Sequence, residues 1–417
     1  MTSSYQKLDV PEGLPLKVRL RRAERKRKIK AAGLVAPLFL FLLMTFVIPI
    51  LLLLYRAVDN PEIIEVMPRT AAAIQKWDGA DLPDESVFAA LAADLKHARK
   101  ERTVGKAAKR LNYDITGFRS LVLNTARKIS RMKTEPASYR DKIIGMDKRW
   151  GDLLYWSALK RAAAPYTDFY LLSAVDLKRD RVGNIERVPA ERALYLKVLF
   201  RTLWMSLVVT LCCLILGYPV AWLLATLPVR ISNLLMILVL LPFWTSLLVR
   251  TASWIIVLQK EGIINKILLE LHLTSAPLQL VFNRFGVYVA MTHILLPFMI
   301  LPLYSVMKNI SPSYMRAAMS LGANPAVAFW KVYVPQSLPG ISAGCLLVYI
   351  LAMGYYITPA LVGGPRDQML SYFIAFFTNN TINWGMASGL AVLLLGATII
   401  LYTVFNRFIG MDRLRMG

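Results

Sequence analysis

The sequence predicts an all-α polytopic membrane protein with six transmembrane helices and a mostly helical extracytoplasmic insert between the first and second. Three observations carry this. Hydrophobic residues fill 56% of the 417 positions and charged ones 18%, with mean hydropathy +0.47, more apolar surface than a soluble domain can hide. Six stretches are apolar over the roughly 20 residues that a spanning helix needs. Charge is also partitioned: of 26 acids, 19 lie between Asp59 and Glu191, whereas Lys197 to Arg407 holds only Glu261, Glu270 and Asp367.

Residues 1–30 read as a basic cytoplasmic arm. Ten Lys or Arg fall there, densest from Lys17 to Lys30 and directly before an apolar run, which is the positive-inside signature of a cytoplasmic N-terminus. The net charge of +24 then suits a membrane surface. No aromatic-basic interleaving accompanies it, so lipid is the expected partner and nucleic acid is not. Residues 31–55 hold the first span, Ala31 to Leu54. It is too long for a secretory h-region and ends in Leu-Leu-Leu-Leu-Tyr-Arg without a small-residue cleavage site, so it is expected to stay uncleaved.

Residues 56–195 lie between spans one and two and have the size of a small domain. Val87, Phe88, Leu91 and Leu95 are spaced as one apolar helix face, and Leu153, Leu154, Trp156 and Leu159 suggest another. Arg181-Val182-Gly183-Asn184 reads as a turn. No internal repeat is evident.

Residues 196–407 are expected to form a five-helix core. Its spans run from Val198 to Leu227, Ser232 to Leu258, Phe285 to Met307, Leu338 to Leu361 and Trp384 to Phe405. Pro49, Pro219, Pro242, Pro297, Pro302 and Pro359 lie inside spans, where neighbouring helices can satisfy the carbonyls they free, so kinks are expected. With the N-terminus inside, the cytoplasmic connections carry Arg230, then Lys308, Arg316 and Lys331, and the tail at 408–417 adds Arg413 and Arg415 beside Asp412. The opposite loops are mixed in sign: Lys260, Lys266 and Arg284 accompany Glu261 and Glu270, and Arg366 accompanies Asp367. Cys212, Cys213 and Cys345 all fall in apolar runs, which implies neither a disulfide framework nor a metal site.

The loop at 308–337 carries the strongest local signals. Ser311-Pro312 is an N-cap followed by a proline at the first helical position, and Gly322 fits the residue just past the helix end. Asn324-Pro325 repeats the start for a second short helix, limited by Pro335. A helical hairpin at the cytoplasmic surface follows, whose Ala-rich first helix is too short to stand alone and should dock on something. The plainer alternative is an amphipathic connector resting on headgroups.

Arg316-Ala317-Ala318, Gly322, Val332, Val334 and Pro335 resemble, at the same spacing, the cytoplasmic loop of ABC importer permeases, which reads Glu-Ala-Ala, three residues, Gly, nine residues, Ile, one residue, Leu-Pro. The resemblance runs from about Tyr195 to the C-terminus. Leu216-Gly217-Tyr218-Pro219-Val220-Ala221-Trp222, Leu241-Pro242-Phe243-Trp244-Thr245, Leu295-Leu296-Pro297-Phe298-Met299 and Pro339-Gly340-Ile341-Ser342-Ala343-Gly344-Cys345-Leu346 look like the spermidine and putrescine branch.

The resemblance implies that this loop is the ATPase-coupling element, with Ser311, Arg316, Ala317, Ala318, Gly322, Val332 and Pro335 its key residues. Small Ala317 and Ala318 would permit close approach and Gly322 a tight turn. Arg316 replaces the usual glutamate and reverses its charge. The implied partners are a second permease subunit, an ABC ATPase dimer and a periplasmic solute-binding protein. The implied location is the bacterial inner membrane, with both termini cytoplasmic. ATP and Mg would bind the ATPase, since this chain has no Gly-x-x-x-x-Gly-Lys-Ser/Thr loop and needs no cofactor of its own. The implied solute is a polyamine such as spermidine or putrescine, or a related amine. An opine, an amino-acid derivative or ferric iron are alternatives.

Candidate pathway residues follow from polarity inside spans. Ser246, Arg250 and Ser253 fall at i, i+4 and i+7, with Trp244 and Trp254 close by. A charge there usually faces a cavity, the alternative being an Arg250 that snorkels from the outer helix end. Tyr355 and Tyr356 could present aromatic faces to an amine cation, or belong to an interfacial belt. His293, beside Thr292, could face a polar cavity or simply pack between helices. The spans contain no carboxylate to pair with a dication. An enzyme is disfavoured because no paired acids or His cluster stand out, a receptor because no cytoplasmic output module is present, and a secondary transporter because paired repeats are missing.

Overall fold

The computed structural model describes residues 16–180 and 183–409. The expected turn at Arg181 and Val182, the first 15 residues of the basic arm, and the tail from 410 onward lie outside the described residues. The chain divides into two compact units, Met1–Tyr55 and Arg56–Gly417.

The first unit is helical where described. Helix α1 (Leu16–Leu42) carries the rest of the basic arm straight into the span, a π turn covers Leu43–Val47, and α2 (Ile48–Tyr55) completes it. Pro49 stands at the second position of α2. A proline ring clashes with the carbonyl four residues earlier in a regular helix, and the wider π turn relieves that clash.

The second unit opens with the insert. It is helical as expected, with α3 (Pro61–Val66), α4 (Pro68–Gln75), α5 (Glu85–Lys100), α6 (Val104–Asp114) and α7 (Phe118–Ser130) in its first half. Then come α8 (Tyr139–Met146), α9 (Leu153–Ala162) and α10 (Phe169–Ala174). A two-stranded antiparallel hairpin, β1 (Leu177–Arg179) with β2 (Ile185–Arg187), is an addition the sequence did not announce.

The face predicted on α5 is buried in full, and its Phe88 meets Trp156 of α9 edge-on at 4.6 Å. On α9 only Trp156 and Leu159 of the four expected residues are buried, while Leu153 is exposed. Several buried polar groups are answered. The Asp94 carboxylate accepts from the Thr70 amide and hydroxyl at 2.7 and 2.8 Å, and Trp150 Nε1 donates to Thr125 Oγ1 at 2.9 Å.

The two ends of the insert are pinned together. Thr167 N donates to Val58 O at 2.8 Å, and Asn60 Nδ2 donates to the carbonyls of Ala162 and Ala164 at 2.6 and 2.8 Å. Buried Arg110 donates to Asn60 Oδ1 at 2.8 Å and to Asp114 at 2.6 Å, and lies over the rings of Phe169 and Tyr170. Burial pushes the Asp114 carboxyl above its usual range, and Arg110 offsets this only in part.

The remaining elements form the membrane core. Helix α11 (Tyr195–Thr226) is followed by α12 (Val229–Leu240), α13 (Leu247–Leu258) and α14 (Ile263–Glu270). Then come α15 (Arg284–Met307), α16 (Pro312–Ser320), α17 (Pro325–Ala328), α18 (Val334–Gly354) and α19 (Ile357–Val362). The described residues end with α20 (Leu370–Asn379) and α21 (Trp384–Ile409).

Among the described residues five helices are long and apolar enough to cross a membrane, or six if one bent pair counts as a span. That pair corrects the expectation of a single helix from Ser232 to Leu258. The segments Val229–Trp244 and Leu247–Glu270 meet at 96°, because Pro242 sits in a tight turn at Leu241–Trp244 and Ser246 starts a new helix as its N-cap. The fifth span is corrected too. Helix α18 stops at Gly354 rather than Leu361, and Pro359 belongs to the short α19 beyond. The apolar α20 was not expected at all.

Helices α11, α15 and α18 interlock at Met299. A Cβ on Gly217 would come within 3.2 Å of the Met299 side chain, one on Gly344 within 2.7 Å of its sulfur, and one on Gly340 within 3.1 Å of the Pro302 carbonyl. The insert is fixed to this core. Asp176, at φ +55°, accepts from the amides of Leu194, Tyr195 and Leu196 at 3.0, 3.0 and 2.8 Å, capping α11. Tyr170 of α10 fills the groove left by Gly385 and Gly389 on α21, where a Cβ would come within 2.3 and 2.6 Å of it. Lys109 binds the Thr381 carbonyl ahead of α21.

Two substitutions test this packing. Gly344→Leu and Gly389→Leu should each destabilise the chain by about 1–3 kcal/mol through overpacking. Thermal unfolding in detergent reads both, and only Gly389→Leu should also raise protease sensitivity within the insert.

Candidate functional site

The loop between α15 and α18 forms the expected hairpin. Ser311 caps α16 by accepting from Ser313 N at 3.3 Å, with Pro312 at the first helical position. The helix closes in a Schellman turn: Ala323 N donates to Ala318 O at 3.1 Å and Gly322 N to Met319 O at 3.0 Å, with Gly322 at φ +90°. A side chain at that φ costs roughly 1–2 kcal/mol, which is why glycine stands there. Asn324 Oδ1 then accepts from Val327 N at 2.8 Å to start α17.

Pro335 was expected to limit that second helix, and it does not. Residues Pro325–Gly354 run as one apolar helix through a π turn at Phe329–Tyr333, which contains Val332. Pro335 stands at the second position after the π turn, as Pro49 does after the first, so its ring is accommodated without a break.

The hairpin presents itself outward. Arg316, Ala317 and Gly322 are exposed, Ala318 is half-buried, and Leu321 at the tip is 89% exposed. Residues 308–337 contain no acid, so Lys308, Arg316 and Lys331 leave the loop wholly basic. Its inner side is aromatic: Phe329 stacks on Tyr333 at 5.6 Å and meets Tyr218 and Trp222 of α11 edge-on. Lys308 Nζ donates to Ala225 O at 3.3 Å, fixing the hairpin to the C-terminal end of α11.

A second cluster forms at the break between α12 and α13. The 12 residues of α12 and the 4-residue turn after it climb roughly 25 Å, a little short of the hydrocarbon thickness. Arg250 lies in the first turn of α13, 6.0 Å from the ring of Phe243, which packs edge-on against Phe298 at 5.1 Å. Its Nε and Nη1 are buried without a hydrogen-bond partner among the described residues. Trp254 Nε1 donates to His293 Nδ1 at 3.1 Å, and Thr251 and Thr358 hydroxyls meet at 3.3 Å, tying α13 to α15 and α19.

The pattern of the family described as "Binding-protein-dependent transport system inner membrane component" matches residues 203–411. The chain belongs to this family. It is the inner-membrane permease subunit of an ABC importer, a transport component rather than an enzyme. It is 36% identical over 220 residues to the spermidine/putrescine transport system permease protein PotB of Escherichia coli, covering 52% of this chain and 80% of that one. The Salmonella typhimurium protein of the same name is equally similar, with 77% of it covered. The inner membrane ABC transporter permease protein YdcU of Escherichia coli is 34% identical over 191 residues, covering 42% of this chain and 59% of that one. A crystal structure of a bacterial alginate ABC transporter overlaps 51% of this chain and 77% of its own at TM-score 0.43 and 14% identity. The insert lies outside the family match.

Within this permease the pathway candidates divide. Trp254 is hydrogen-bonded to His293, Arg250 lies one turn before Trp254 on α13, and Tyr355 sits in the break after α18, whereas Trp244 is 79% exposed and Ser253 and Tyr356 also point outward. The polar stripe from Ser246 is corrected in part. Ser246 precedes the helix, and its hydroxyl is spent accepting from Val249 N at 3.2 Å. Tyr355 and Tyr356 sit in the break after α18, and the Tyr355 carbonyl accepts from Ser371 Oγ at 2.6 Å. Phe243, Phe298 and the Thr251–Thr358 pair were missed. Pro242 followed by a capping Ser246 was the available signal for the break that gathers them.

Removing one cap tests the hairpin locally. Asn324→Ala should cost about 1 kcal/mol and raise hydrogen exchange at the Val327 amide, leaving that of α18 beyond Gly340 unchanged.

Proposed function

We propose that this permease forms half of a solute pathway in an ATP-driven importer for a polyamine or related amine, working with a second permease subunit, an ATPase dimer and a periplasmic solute-binding protein. The observation that carries the reading is the exposed, doubly capped basic hairpin, with Leu321 at its tip and small Ala317 and Ala318 beside it. A helix of this length, with only Met315 and Ala318 turned partly inward, gains little from its own chain and is suited to a partner's groove. Nucleotide and Mg would bind that partner ATPase.

Helix α11 supports the proposed sidedness. Its first turn is capped by Asp176 of the insert, and its last turn receives Lys308 from the hairpin side. Its 32 residues separate these ends by about 48 Å. A cytoplasmic hairpin therefore requires an extracytoplasmic insert, with cytoplasmic termini consistent with the basic arm before α2. Transport would proceed by alternating access, with closure of the ATPase dimer moving the hairpins. The amine assignment is supported by the relatives at 36% identity, which are named spermidine/putrescine permeases.

Gly322→Leu should leave ATP hydrolysis running while uptake falls severalfold, since the residue cannot hold φ +90° without strain. Reconstituted uptake and hydrolysis, measured together, check it. Normal uptake by this variant, or an ATPase that fails to co-purify with the native chain, contradicts the coupling assignment.

A further inference from the structure

We propose that the imported solute carries a carboxylate and that Arg250 receives it. This rests on the permease reading and refines its substrate. Arg250 stands in the first turn of α13, where the helix dipole already disfavours a cation. Its buried Nε and Nη1 have no acceptor among the described residues. Leaving such donors unmet costs roughly 1–3 kcal/mol or more, and a guanidinium cannot shed its proton to escape. The Phe243 ring, at 6.0 Å, is at the limit of cation-π range and accepts no hydrogen bond.

The imidazole one turn further along the site presents a donor as well. Because His293 Nδ1 accepts from Trp254, the neutral imidazole carries its proton on Nε2. The acids of the core are engaged elsewhere or exposed: Asp367 accepts from Arg284 at 3.0 Å and from Gly364 N at 3.1 Å, while Glu261 and Glu270 lie open on the α13–α14 segment. A carboxylate would complete the site with charge-assisted bonds to the guanidinium. A bare diamine would bring a second cation to an unpaired one. The solute class is therefore an amine that also bears a carboxylate.

The test uses proteoliposomes holding this chain with its second permease, ATPase and binding protein. Three radiolabelled probes differ in one group: putrescine, ornithine, which is putrescine with a carboxylate added, and γ-aminobutyrate, in which a carboxylate replaces one aminomethyl end. Ornithine or γ-aminobutyrate should enter faster than putrescine. Arg250→Gln should lower that uptake by about tenfold or more and Arg250→Lys by less, as expected for loss of charge-assisted bonds, with the ATPase and second permease still co-purifying. Putrescine entering as fast as or faster than both, or unchanged uptake by Arg250→Gln, overturns the proposal. So does loss of the second permease from Arg250→Gln, which would assign the charge to the subunit interface. Failure of the ATPase to accompany the native chain refutes the importer reading itself and is seen before any probe is added.

Discussion

Lipid offers helices no hydrophobic reward for meeting, so close approach must come from side chains small enough to let backbones touch. In this permease the contact on which the rest depends is Met299 of α15, held between Gly217 of α11 and Gly344 of α18. Both ends of that crossing matter. Toward the hairpin, Gly340 lies against the Pro302 carbonyl and Tyr218 meets Ser337 at 3.0 Å, so α15 and α18 deliver the hairpin between two fixed helices. Toward the break, α15 supplies His293 and Phe298, the two residues against which α13 and the turn before it are set.

Charge within this scaffold is handled in two ways. Arg110 in the insert is buried, yet it has Asp114, Asn60 and two aromatic rings to answer it. Arg284 likewise has Asp367. Arg250 is the contrast, since two of its buried nitrogens have no acceptor among the described residues. A structural arginine is surrounded by acceptors from its own chain, whereas one whose neighbours are donors is arranged for something that arrives from outside.

Much of this was legible in the sequence, for physical reasons that differ by element. Spans show because lipid demands long apolar runs. The hairpin shows because caps, prolines and Gly322 are local signals that need no tertiary information. The bend after Pro242 was harder, since the apolar run continues unbroken from Ser232 to Leu258 and composition cannot see a corner. The same holds at Tyr355 and Tyr356. Pro335 misled in the opposite direction: a proline usually limits a helix, but the π turn before it let the helix continue. Long-range pairs such as Trp254 with His293, or Tyr170 with Gly385 and Gly389, leave no trace in spacing because their partners are far apart in sequence.

The insert's attachments also bear on which parts of the core can move. Asp176 holds the first turn of α11 by three amides, Tyr170 fills the groove of α21, and Lys109 binds a carbonyl just before α21. Separating the insert-side ends of α11 and α21 would have to break either the three Asp176 bonds or the Tyr170 and Lys109 contacts. Those two ends are thus clamped to one body. Between α12 and α13, and again between α18 and α19, the backbone already leaves the helix, so turning there breaks no regular ladder of hydrogen bonds. Bending is cheapest where the ladder is already interrupted, and both interruptions adjoin the Arg250 cluster: Phe243 and Tyr355 stand at the breaks themselves.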